Sequence, residues 1–303
     1  MDVRDRAIGC VLGLSIGDAL GAPFASRRSH QLPDPLPAFE LAWMRHPPGS
    51  TTAITAMART LASSLIDLGG LDVGDVLRRH LEWFRADPPG TESITRRVLA
   101  RASEGATDPA EEYVRERGPE VSAGNGSVRS CAPLGVAYAG GPDELVALAP
   151  ALSAITHADE RCRTACVAIT LVVAALVRGE AGDRAVVDAL STWADRDGGE
   201  ELEYLVDEAG RARPVDGPDG GFALFTAGLA LRVASEGRGF EEGLRYVVSL
   251  GGDTGSNAAA SGALLGALHG HSGLPRAWLE RLQDRDAIER EAADLAELAL
   301  RTR

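Results

Sequence analysis

Near the C-terminal end, Ser249-Leu250-Gly251-Gly252-Asp253-Thr254-Gly255-Ser256-Asn257 runs into a stretch, 258–267, of Ala, Gly, Ser and Leu without a charge. Two glycines set a tight turn, and an acid, hydroxyls and an amide follow it. A charge-free helix begins there, and its small side chains let a neighbouring helix come close. Such a helix is buried core, while the unpaired N–H groups at its start attract anions or carry ligand-binding side chains. Residues 4–20 offer a matching partner: Gly9, Gly13 and Gly17 recur among Ile8, Val11, Leu12, Leu14 and Ile16, a helix with a small-residue face.

Between these two segments the chain reads as helix after helix. Apolar stripes mark 50–68 (Ile54, Met57, Leu61, Leu65) and 71–84, and 92–102 continues the theme. Further helices are expected at 142–155, 160–178, 183–194, 221–235, 241–250 and 275–300. Prolines 33, 35, 37, 47 and 48 mark a loop. No strand-period alternation of useful length and no linker-like stretch occurs, so the expectation is one all-α domain over 1–303.

Composition narrows the function. Net charge is −13 and all 31 basic residues are arginines, which argues against nucleic acid or an anionic membrane as main partner. No signal peptide or uninterrupted apolar span of transmembrane length is read. Cys10, Cys131, Cys162 and Cys166 lack C-x-x-C spacing and read as buried thiols of a cytoplasmic protein.

Four motifs then occur in order: 9–23, ending in Gly17-Asp18-Ala19-Leu20-Gly21-Ala22-Pro23; Gly124-Asn125-Gly126 before Pro133-Leu134-Gly135; Thr156-His157; and Leu250-Gly251-Gly252-Asp253-Thr254. In this the chain resembles the ADP-ribosylglycohydrolase family. The resemblance implies that family's all-α orthogonal bundle and a cleft that usually holds a pair of magnesium ions, which orient ribose hydroxyls and a water. It also implies cleavage of a bond at the anomeric carbon through an oxocarbenium-like transition state.

Transfer residue by residue leaves gaps. The family's Thr-Asp-Asp-Thr run falls on Thr52-Ala53-Ile54-Thr55, and its late Asp-Thr-Asp run on Asp253-Thr254-Gly255 before Ser256. The glutamate that often follows the first motif falls on Ala25, and Arg129-Ser130 stands for the usual Met-Arg. Thr52, Asp253 and Ser256 remain, and they are too few carboxylates for a pair of divalent ions. The expectation is therefore no binuclear metal site and no cofactor.

Candidate roles follow. Asp253 stabilises positive charge at the anomeric carbon or activates water; Asp18 supports it, or is instead a buried hydrogen-bond hub. His157 positions the sugar. Gly124, Asn125, Gly126, Ser127 and Arg129 take phosphate, with a plain turn as the alternative for the loop. Thr52, Thr254 and Ser256 contact substrate, and Phe222 stacks a ring or fills core. The substrate expected is a small ribosyl or ADP-ribosyl compound. The alternative is a catalytically inactive ADP-ribose-binding protein.

Overall fold

The computed structural model describes residues 1–193, 198–211, 213–217 and 220–301. The helix Val3–Gly21 opens the chain and packs lengthwise on Thr254–His269 near its end. The glycines explain the pairing. A Cβ on Gly13 would lie 2.1 Å from the Gly262 carbonyl oxygen, and one on Gly17 1.9 Å from that of Ala258. Gly262 and Gly266 press back on Gly13 and Gly9 in the same way. The two backbones touch, so any side chain along the seam would force them apart.

Both helices lack a polar face because both lie inside. Val3–Phe24 is long and apolar enough to cross a bilayer, contrary to the reading of the sequence, but 89% of its most apolar window is buried within the protein. Around this pair lie Glu160–Arg178, Ala223–Ser235 and Phe240–Ser249, and a cluster of buried apolar residues runs from Ala7 to Ala299. Ala53–Leu68 and Arg285–Arg301 cover the other side.

Element boundaries follow local chemistry. The expected helix over 275–300 is divided into Arg276–Leu279 and Arg285–Arg301, with Asp284 at φ 57° between them. The helix expected over 183–194 is observed as Gly182–Trp193, and Ala194 lies outside the described residues. Gly199–Glu208 forms an additional helix.

A short sheet was also not foreseen. Arg27–Arg28 pairs antiparallel with Gly251–Gly252, Arg27 opposite Gly252. Both glycines have φ near 75°, and a Cβ on Gly252 would meet the Val215 carbonyl oxygen at 2.3 Å. Only glycine accepts that backbone and that contact together. This pairing sets the turn from which Asp253 emerges.

Candidate active site

Asp253 is the N-cap of Thr254–His269, half-buried, with its Oδ1 facing the Ser256 N–H at 3.4 Å. The Asn125 amide donates 2.9 Å bonds to Asp253 Oδ2 and to Thr226 Oγ1. Thr226 in turn donates to Asn257 Oδ1. The acid therefore has a fixed orientation and spare acceptor capacity.

Asn125 is placed by backbone bonds. Its N–H donates to the Gly221 carbonyl, and the Ala223 N–H donates to that of Ala123, so residues 123–125 run antiparallel to 221–223. Gly221 lies against Asp253: a Cβ there would sit 3.9 Å from Oδ2. A cavity of about 400 Å³, of the size that takes small ligands, opens beside Gly221 and is lined by Gly124, Arg161, Arg213, Phe222 and Phe225 among others. The Arg161 guanidinium lies 5.4 Å from the Phe222 ring centroid, and that of Arg213 lies 4.9 Å from Phe225. Arg161 is held by both oxygens of Asp159. Arg213 has no ion-pair partner among the described residues.

Asp18 holds the scaffold and does not face the cleft. It is fully buried and accepts from the Thr52 N–H and hydroxyl, each at 2.8 Å, and from the Thr55 N–H and hydroxyl at 3.2 and 2.7 Å. Burial pushes its pKa up, and these donors oppose the rise. The geometry is that of the hydrogen-bond hub. Thr52, held by Asp18, caps Ala53–Leu68 through the Ile54 N–H.

The loop after Ala123 is packed against His157 on one side, while Gly124 lines the cavity. A Cβ on Gly126 would lie 2.4 Å from His157 Cε1, and one on Gly124 2.7 Å from Ile94 Cδ1. These glycines let the loop lie directly on His157 and its neighbours. The Ser127 hydroxyl pairs with that of Ser153 inside the protein, and Thr254 donates its hydroxyl to the Gly21 carbonyl. Both hydroxyls are engaged within the protein. His157 is buried, with Nδ1 2.9 Å from Thr156 Oγ1.

Arg129 is more enclosed than the sequence suggests, at 5% exposure. Nη1 donates to Ser256 Oγ at 3.1 Å, while Nε and Nη2 have no hydrogen-bond partner among the described residues. On Arg59 the same pair of nitrogens clamps the two oxygens of Glu291. A buried guanidinium thus lies against Ser256, in the first turn after Asp253.

Glu92 is the residue that reading the sequence missed. It caps Ser93–Ser103 and lies 3.4 Å from His157 Nε2. Burial pushes its pKa up, but His157, the charge of Arg129 and the Ile94 N–H outweigh that and hold the carboxyl well below its usual range. An acid immediately before the apolar positions Ile94, Val98 and Leu99 is a helix-start signal. Nothing local to Glu92 announces its contact with His157.

All of residues 1–303 match the ADP-ribosylglycohydrolase family. The chain is 28% identical to the ADP-ribosyl-[dinitrogen reductase] glycohydrolase of Rhodospirillum rubrum, over 95% of this chain and 93% of the relative. It is 26% identical to the ADP-ribosylarginine hydrolase Tri1 of Serratia proteamaculans, over 97% and 80%, and 26% identical to human ADP-ribosylhydrolase ARH3, over 90% and 88%. A solved structure described as an ADP-ribosylglycohydrolase-related protein complex superposes with a TM-score of 0.82 at 32% identity, covering 98% of this chain and 99% of that one.

This match corrects the expectation that no cofactor is used, because family members are metal-dependent hydrolases. The missing aspartates at 53, 54 and 255 had suggested otherwise. Among the described residues no group of three or more His, Cys, Asp or Glu is placed to hold an ion. The neighbours of Asp253 are an amide, hydroxyls and a guanidinium, which do not fit a two-ion shell. With the fold, the ordered motifs and the full-length similarity in agreement, the chain belongs to the ADP-ribosylglycohydrolase family.

Proposed function

We propose that this family hydrolase cleaves the bond between the anomeric carbon of an ADP-ribosyl group and its substituent on a small, nucleotide-like substrate. The observation that carries the reading is the orientation of Asp253 by Asn125, beside a cavity of about 400 Å³ with aromatic and guanidinium walls. Phe222 and Phe225 offer surfaces for a planar ring, and Arg213 offers an unpaired charge for phosphate.

In this reading water attacks the anomeric carbon, and the bond to the leaving group breaks with its electron pair. Asp253 faces the cationic sugar and accepts the proton of the attacking water. His157, wholly buried, backs the loop 124–127, and that loop keeps Asn125 in place. Asp18 acts at one remove, through Thr52.

The test is incubation of the protein with ADP-ribosyl-arginine, with added Mg²⁺ or with EDTA, and detection of released ADP-ribose by mass spectrometry. Release of ADP-ribose is the expected outcome, and the comparison of Mg²⁺ with EDTA reads whether this chain shares the metal dependence of its family. If ADP-ribose binds but neither ADP-ribosyl-arginine nor O-acetyl-ADP-ribose is cleaved, the reading fails and the chain is a binding protein.

A further inference from the structure

We infer that Arg213 is the specificity-determining residue of the cavity, selecting substrates that carry phosphate over unphosphorylated ribosyl compounds. This rests on the hydrolase reading above and assigns the cavity to the phosphate-bearing part of the substrate.

Two arginines line the cavity, and they differ in what already holds them. Arg161 donates from Nε to Asp159 Oδ1 and from Nη2 to Oδ2, each at 2.9 Å, and also bonds the Pro119 carbonyl. Asp159 is itself braced by the Ser122 hydroxyl. Glu201, on the same wall, adds its charge to the Arg161 guanidinium. Arg161 is thus neutralised where it stands.

Arg213 is not. Its guanidinium lies 4.9 Å from the Phe225 ring centroid, and among the described residues it has neither an ion-pair nor a side-chain hydrogen-bond partner. The acids of the lining, Glu120 and Glu201, are exposed, whereas Arg213 is half-buried. Water and salt screen exposed charges most, so the charge that a ligand meets inside is that of Arg213.

The backbone fixes Arg213 relative to Asp253. Its N–H donates to the Glu208 carbonyl, and its own carbonyl accepts from the Gly210 N–H at 2.8 Å. Two residues on, the Val215 carbonyl oxygen would lie 2.3 Å from a Cβ on Gly252 and 2.6 Å from one on Gly220. Asp216 then accepts from the N–H and hydroxyl of Ser29. The segment 213–216 is therefore pinned against the turn that leads into Asp253. Gly221, which lines the cavity with Arg213, lies against that acid. A nucleotide with its anomeric carbon at Asp253 extends along this cavity, where its phosphate meets Arg213. A guanidinium resting on a ring face keeps its N–H edge free, and phosphate takes that edge in paired, charge-assisted bonds.

Calorimetry with ADP and with adenosine, which differ only in the diphosphate, tests this. Wild type should bind ADP about tenfold or more tightly than adenosine. Arg213→Met keeps bulk over Phe225 and removes the charge. It should close that gap while adenosine affinity and the melting temperature stay unaltered, whereas a merely structural role would weaken both ligands alike. Arg276→Met makes the same change in net charge at an exposed position and should leave the gap intact. With ADP-ribosyl-arginine, Arg213→Met should raise KM about tenfold with kcat little changed. No gap in wild type, or a gap that survives Arg213→Met, would overturn the inference. Should that variant not fold, Arg213→Gln takes its place with the same two outcomes. Affinity is read without turnover, so a chain that cleaves nothing fails the hydrolase reading alone.

Discussion

At Asp18, four donors converge on one buried carboxylate: two N–H groups and two hydroxyls. An amide replaces it imperfectly: its oxygen can take the three donors on Oδ2, but its NH₂ then faces the Thr52 hydroxyl, which must turn from donating to accepting, and the stronger carboxylate acceptor is lost. Asp18→Asn should therefore lose about 3 kcal/mol of stability and loosen the start of Ala53–Leu68. Denaturant titration checks this, and an unchanged midpoint would show that the hub bears no weight. The distinction between Asp18 and Asp253 was only half legible in the sequence. Both are acids beside glycines, but enclosure is decided by Thr52 and Thr55, more than thirty positions away from Asp18. Glu92 was obscured for the same reason: its contact with His157 joins residues far apart in the sequence.

Among the elements, the seam between Val3–Gly21 and Thr254–His269 governs the geometry of the cleft. Its glycines were readable as a small-residue face because period and residue size are local properties. In an exposed helix, Gly→Ala stabilises by about 1 kcal/mol. At Gly17 the sign should reverse, because the new methyl would meet the Ala258 carbonyl oxygen at 1.9 Å and neither backbone can yield. Gly17→Ala should cost about 3 kcal/mol or more, seen as a lower urea midpoint by circular dichroism. Stabilisation would mean that the helices do not approach so closely. The Gly251–Gly252 turn was legible as a turn, whereas its pairing with Arg27–Arg28 was not, since two-residue strands leave no alternation to detect.

For the molecule as a whole, net charge is −13, yet two guanidinium groups line the cavity: Arg161 on Phe222 and Arg213 on Phe225. Family and all-α architecture could be read from ordered motifs and helical periodicity. The cofactor expectation failed because counting missing aspartates says nothing about which other groups have entered the cleft. The account stands or falls on Asp253 as the acid that serves the reacting ribose. Its most direct test is the rate of ADP-ribose release from ADP-ribosyl-arginine by wild type and Asp253→Asn, each first shown to melt at the same temperature. A drop of about a hundredfold or more in kcat is predicted; equal rates in the two proteins would contradict it.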